Sequence, residues 1–494
     1  MKKDKNPGAA EKIISVILGT LAGGFMWRCR GESGFGSSWG LYSVALILIL
    51  IIYNFYGNKK GFKFEMIPIG AFLAGLGVTG YATVIEQLAG VIYNDVTPTG
   101  EVVYCPVDKF SGLYIILIMG FTLVPLFAFF VGSLFSEKEY KLYHYVIMAA
   151  IFFGVSYICK ASVSHFILKA INPDQVNYAA EGLKAAGHDY SSPMMAYMKH
   201  FAGRKWSQTV PFFENYYMSV EHISDFIAVI AIALYPLIAF KDKLTCCVTL
   251  VINAFVSVAT TALSSLISVC FRSGFFEGIT VPRCLENGAG WGIWEYATGA
   301  SVGFITMLVI ALMPKKYTRQ GNPDKKPLFE SNKLNFIFNT VAGVFIFALV
   351  PWRAIGIRTG KLLENAGILE DSSPTGDIIM IAGAVIFGLW FIYLFKKNII
   401  DSSVTPFNVT PFGFSAVALP AYLGLCCVLY FFTNHAYALH LPFSEMKDLS
   451  SFVYIMTGPQ WLEFTVMFIS AVIFTVFYIP IRKKLMKLNN NKIR

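Results

Sequence analysis

Arginine and glutamate recur together in two short stretches that lie about half a chain apart. Arg28-Cys29-Arg30-Gly31-Glu32-Ser33-Gly34-Phe35-Gly36 and Arg283-Cys284-Leu285-Glu286-Asn287-Gly288-Ala289-Gly290 share the pattern R-C-x(1,2)-E-[SN]-G-x-G. Tryptophan follows each, at Trp39 and at Trp291 and Trp294. A guanidinium presents a planar fork that matches a carboxylate or phosphate, and neighbouring glycines let backbone approach such a group closely. Arg272, Glu295, Arg353 and Arg358 belong to the same set. Arg28, Arg30, Glu32, Arg272, Arg283, Glu286, Glu295, Arg353 and Arg358 are therefore the candidate residues for binding a small anionic or polar group. Arg353 and Arg358 stand five apart after Pro351, a spacing that a helix would splay, so a loop or broken helix is expected there.

The same residue types allow two other readings. With Glu32, Glu286 or Glu295 as general base and the arginines as a phosphate clamp, the site would suit a transferase acting on a lipid-linked or acyl substrate. With Arg28 paired to Glu286 and Arg283 to Glu32, the charges would only pin helix ends. Further ionisable groups lie in or beside apolar runs: Glu86, Lys160, His165, Glu221, Asp225, Glu277 and Glu463. Glu221 and Asp225 share one helical face at i, i+4. His165, His188 and His200 could join them in a metal site, but no H-x-x-x-H or H-E-x-x-H spacing is present, so no metal is expected. There is no G-x-x-x-x-G-K-[ST] loop for nucleotide phosphates and no G-x-S-x-G elbow. No cofactor is expected.

The elements that must position these residues are membrane helices. Only 14% of the chain is charged and 55% is hydrophobic, against roughly 25% charged in a soluble domain. Runs such as SVALILILIIYNF and FIAVIAIALYPLIAF approach or exceed the roughly 20 residues that cross a bilayer. Hydropathy places spans near 12–27, 40–56, 64–86, 111–134, 143–166, 219–240, 244–271, 290–313, 334–351, 377–395, 412–432 and 460–481, about twelve in all. The fold class is all-α, a polytopic membrane protein. MKKDK followed by an apolar run has no A-x-A-like cleavage site and reads as a retained first helix.

Every second connection is basic, including Lys59 to Lys63, Lys138 to Lys141, Lys241-Asp242-Lys243, Lys315 to Lys326 and Lys396-Lys397. The positive-inside rule then puts both termini and all these clusters in the cytoplasm, in what we expect to be the plasma (inner) membrane. The net charge of +10 is dispersed in these clusters, so it speaks for orientation in a lipid bilayer and against nucleic acid as a partner. The other connections are longer and aromatic, and the longest, 167–218, is expected to be an amphipathic segment or a small lid. Cys29, Cys105 and Cys284 fall in them, and a disulfide among the three is open.

The motif echo has a companion. Val220-Glu221-His222 opens a span that closes Tyr235-Pro236-Leu237 before Lys241. Leu462-Glu463-Phe464 opens one that closes Tyr478-Ile479-Pro480-Ile481 before Arg482-Lys483. Both echoes are displaced by about six spans, which implies an internal repeat of two parallel six-helix halves, 1–243 and 244–494. This arrangement resembles the architecture of major facilitator superfamily transporters. The glycine-and-acid loop typical of that family between spans two and three is missing, since the chain reads Tyr56-Gly57-Asn58-Lys59-Lys60-Gly61-Phe62-Lys63 there. No functional residue is carried over from that family, since fold does not establish function. The span count, the repeat and the charge clusters together lead us to expect a secondary transporter for a small anionic or polar solute rather than an enzyme, with the arginines holding the anion and the glutamates carrying coupling protons.

Overall fold

A computed structural model describes residues 8–32, 41–52, 55–56, 66–76, 86–94, 103–201, 204–271, 289–318, 448–456, 462 and 465–478, with scattered positions between 356 and 389. The described residues are mostly helical. Among the described residues, five helices are long and apolar enough to cross a membrane: Ala9–Arg28, Leu142–Lys160, Phe213–Phe240, Lys243–Ser265 and Gly292–Leu312. A helix pair broken by a 44° bend, Lys109–Phe121 with Pro125–Phe135, makes a sixth if it counts as one span. The expected spans at 334–351 and 412–432 lie outside the described residues, and that at 377–395 is described only in part.

The chain divides into two compact units. The first comprises Met1–Leu76, Leu134–Lys141 and Arg283–Arg494. Its described helices are α1 (Ala9–Glu32), α2 (Leu41–Ile52) and α3 (Met66–Gly75). Later in the chain come α13 (Ala289–Leu312), α14 (Lys315–Thr318), α15 (Leu449–Met456) and α16 (Thr465–Tyr478). α1 and α13 run antiparallel and cross on glycine. A Cβ at Gly23 would sit 2.5 Å from the Gly299 carbonyl oxygen, one at Gly303 would strike the Gly19 carbonyl, and one at Gly299 would strike Trp27. Gly19 and Gly23 on one helix therefore face Gly299 and Gly303 on the other, each pair four apart. Lipid offers no hydrophobic driving force between helices, so close backbone approach over small residues is what holds such a pair. Both ends are also pinned, by Lys12 Nζ donating to the Ala311 carbonyl and by the Arg28–Glu295 ion pair. α2 packs beside α1 and is buried from Val44 to Ile52, as befits a helix apolar all round.

The second unit, Gly77–Ser133 with Leu142–Pro282, holds the rest. A 3₁₀ turn, Glu86–Ala89, leads into the one sheet among the described residues. This is an antiparallel hairpin of β1 (Val91–Asn94) and β2 (Val103–Pro106), with Val91 opposite Pro106. α4 (Lys109–Phe121) starts at Asp108, whose carboxylate accepts the Ser111 N–H at 2.8 Å. It stops three residues before α5 (Pro125–Phe135), because the residue before a proline is driven out of the α region. α6 (Leu142–Lys160) follows, and then four short helices: α7 (Val163–Ile171), α8 (Pro173–Ala185), α9 (Pro193–Lys199) and α10 (Arg204–Ser207). Asn172 and Ser192 cap α8 and α9, each with proline next in line. The stretch 167–218 expected as a lid or amphipathic segment is thus a run of short helices, two of them capped, that leads into α11. α11 (Phe213–Phe240) and α12 (Lys243–Phe271) are the longest helices of the unit, joined by a turn in which Lys241 takes a left-handed conformation and Asp242 caps α12.

α12 is organised inside out. Thr245, Thr249, Asn253, Ser257, Thr260, Thr261 and Ser264 form a buried polar seam at nearly four-residue stride. Phe255 and Val258, on the other side, are 61% and 60% exposed while Asn253 is fully covered. α6 likewise exposes Phe153, Tyr157 and Ile158 and buries His144 and Ser156. Water would expel such a surface. Lipid accepts it and penalises the polar side, which must face protein.

Candidate functional site

Of the nine expected binding residues, the structure places two together. Arg28 Nη1 donates to Glu295 Oε2 at 3.0 Å, with Arg28 buried at 7% exposure. Among the described residues the partner of Arg28 is Glu295; Glu286, considered from the repeat, lies outside them. Arg30 and Glu32 continue α1, but their side chains lie outside the described residues. Arg272, Arg283, Glu286, Arg353 and Arg358 lie wholly outside them, as does the expected loop around Arg353 and Arg358. The Cys29 side chain and the whole of Cys284 lie outside them as well, and Cys105 carries a free thiol. Among the described residues no group of three or more His, Cys, Asp and Glu could hold a metal ion.

A denser arrangement stands in the second unit, where α6 and α11 run antiparallel. Lys160 Nζ contacts Glu221 Oε1 at 2.8 Å. One turn along, the Ser156 hydroxyl donates to Asp225 Oδ1 at 2.5 Å. The pairs Ser156–Lys160 and Glu221–Asp225 each have i, i+4 spacing, so each helix turns both of its polar groups toward the other. Lys160 and Glu221 keep 19% and 15% side-chain exposure, while Asp225 is buried. The charged trio holds one cation and two carboxylates in a shell of serines.

α7 and α8 close this cluster from the side. The Ser164 and Ser224 hydroxyls share a bond of 2.7 Å, and Gln175 Nε2 donates to Ser219 Oγ at 3.0 Å. Asn172 Nδ2 donates to Gln87 Oε1 at 2.7 Å. Gln87 Nε2, Gln175 Oε1 and Asn215 Oδ1 are buried with no protein partner. Groups of that kind are where water or a polar solute binds, because an unpaired buried donor or acceptor costs about 1–3 kcal/mol.

His165 joins the cluster to the end of α6. Its Nε2 lies 2.7 Å from the Lys160 carbonyl oxygen, which can only accept, so Nε2 carries a proton. Nδ1, 2.7 Å from the Tyr216 hydroxyl, is then the acceptor in the neutral ring. Tyr197 stacks edge-on against the ring. Burial holds the imidazole below its ordinary pKa, against a smaller opposing effect of the Lys160 carbonyl. Burial likewise pushes the Tyr197 hydroxyl up, with the Glu221 charge adding to it.

A histidine whose folded pKa is depressed binds fewer protons folded than unfolded. Its contribution is therefore intact above the unfolded value of about 6.5 and lost as pH falls through the folded value. Thermal melting of the detergent-solubilised protein should accordingly drop on acidification below about pH 6.5, and His165→Gln should flatten that part of the profile. An unchanged profile in the variant would assign the acid sensitivity elsewhere.

Sequence reasoning had Lys160, His165, Glu221 and Asp225 in view, but it missed Ser156, Ser164, Gln175, Tyr216 and Ser219. The available signal was polar residues one turn apart in otherwise apolar helices, as in Ser156-x-x-x-Lys160. No protein-family model matches the chain, and no curated protein or solved structure matches it either.

Proposed function

We propose that this protein is a secondary transporter for a small anionic or polar solute, coupled to protons through Lys160, Glu221 and Asp225. The observation that carries the reading is this charged trio on facing helices, with Asp225 twelve residues into the 28-residue α11. Ionisable groups at that depth are costly and are found where ions or protons move. With both acids ionised the trio holds an excess negative charge, which favours uptake of one proton. An arriving anionic group competes with Glu221 for Lys160, and Asp225, no longer balanced by the ammonium, takes up the proton. Solute and proton thus enter together, and their joint departure restores the ion pair.

In the full proposal the chain has about twelve spans in two parallel halves, with both termini cytoplasmic in the plasma (inner) membrane. The clusters at Lys241 to Lys243 and Lys315-Lys316 then face the cytoplasm, and Lys160 and Glu221 lie toward the opposite surface. Arg28 and the other interfacial arginines draw anions to that surface. The buried seam of α12 supplies a polar face running the length of a span.

The test is proton flux into proteoliposomes loaded with a pH-sensitive dye, on addition of small carboxylates, inorganic phosphate and amino acids in turn. At least one class should drive proton uptake. Asp225→Asn should abolish it while leaving solute exchange measurable. If no member of the panel crosses the membrane, and the purified protein instead transfers a group to or from a lipid-linked substrate, the transferase reading replaces this one.

A further inference from the structure

We infer that the break between α4 and α5 holds a monovalent cation of the sodium class, bound by carbonyl oxygens at the end of α4 and by the side-chain oxygen of Asn253. Two close approaches fix how α12 lies along the broken pair. A Cβ at Gly120 would sit 2.8 Å from Ser257 Cα, and one at Gly132 would sit 2.9 Å from Thr245 Cα. The two anchors are equally far apart in sequence on either strand of the antiparallel pair. In that register Asn253 comes opposite Val124, inside the break.

Each helix offers at that level an oxygen that no helix bond takes up. Asn253 is fully buried and its Nδ2 donates to the Thr249 carbonyl at 2.8 Å, which leaves Oδ1 without a partner. The Phe121 carbonyl would need an N–H four residues on, and that residue is Pro125, which has none. Thr122 turns its N–H and hydroxyl back onto the last turn of α4 instead.

Neutral oxygens converging on a helix C-terminus, with its partial negative charge, suit a hard cation. No carboxylate occurs in the seam from Thr245 to Ser264, which disfavours a divalent ion. Pro125 at the first position of α5 removes one amide that an anion would have used. Discontinuous helices whose unwound carbonyls meet a polar neighbour are a recurrent way to bind such ions within a membrane.

The experiment compares melting of the purified full-length protein in sodium chloride and in choline chloride at equal ionic strength, with no solute added. Sodium should raise the melting temperature saturably, by on the order of 3 °C, and Asn253→Ala should lose that response. Asn253→Asp, which adds a charge at the same oxygen, should reach half of the shift at lower sodium. Identical melting of the unmodified protein in both salts overturns the inference, as does a full sodium response in Asn253→Ala. Should the alanine variant not fold, the unmodified protein and Asn253→Asp still decide the matter. Because the measurement needs no transported solute, it stands or falls separately from the transport reading.

Discussion

Lys160→Met should destabilise the protein by about 3–5 kcal/mol, the cost of leaving a buried charge without its partner. The size follows from where the pair lies. A solvent-exposed ion pair is worth at most about 1 kcal/mol, because water and salt screen it. Lys160 and Glu221 keep only 19% and 15% exposure, and Asp225 behind them is buried. Removing the ammonium therefore strands two carboxylates in a poorly solvated space.

The double variant Lys160→Met with Glu221→Gln should recover much of the loss, since neutral groups of similar shape need no counter-charge. A thermodynamic cycle over the two positions, read by unfolding in detergent, should give a coupling of about 1–3 kcal/mol. Strictly additive effects would show that the two side chains do not depend on one another, and the coupling mechanism would lose its centre.

Gly299→Ala should reduce folded, monodisperse protein sharply, although glycine to alanine in a helix is ordinarily stabilising by about 1 kcal/mol. The sign reverses because of what the new methyl meets. At Gly299 it strikes Trp27 Cβ and the Gly23 carbonyl, and at Gly303 it strikes the Gly19 carbonyl. Backbone cannot rotate aside as a side chain can. The helices must separate, which loosens the Arg28–Glu295 pair and the Lys12 bond at the two ends. Gly154 on α6 has open space where its Cβ would be, so Gly154→Ala is the matched control and should be neutral or stabilising. Size-exclusion profiles and melting temperatures of the three proteins decide it, and equal behaviour of Gly299→Ala and Gly154→Ala would remove the crossing from the account.

The apolar runs made the helices legible. α1, α2, α12 and α13 fall within a few residues of the hydropathy spans, because a run of that length has one solution in lipid. Three features escaped. The span expected at 111–134 is broken at Thr122 to Val124, although Pro125 carried the signal. The span at 219–240 begins at Phe213, because Asn215, Tyr216 and Tyr217 are too polar for a hydropathy window yet pack on α7 to α10. The hairpin at β1 and β2 is too short to register against its helical surroundings. For the site, arginine chemistry drew attention to Arg28, which among the described residues meets Glu295 at the start of another span. The cluster around Lys160 and Asp225 was harder to read, since it forms only when residues more than sixty apart in sequence are brought face to face. Residue type locates a charge on the chain, and packing alone decides which charges meet.

The α1–α13 crossing also has a consequence for how the protein is made. Gly23 is synthesised 276 residues before Gly299. At roughly 5–20 residues per second, α1 waits on the order of 15–60 s in the membrane before its partner exists. For that interval its glycine face lies open to lipid, and Arg28 lies at its end without Glu295. The helix on which the first unit closes is thus translated well before the partner that secures it. Whatever shields Arg28 during that wait governs how much of the chain reaches its final form.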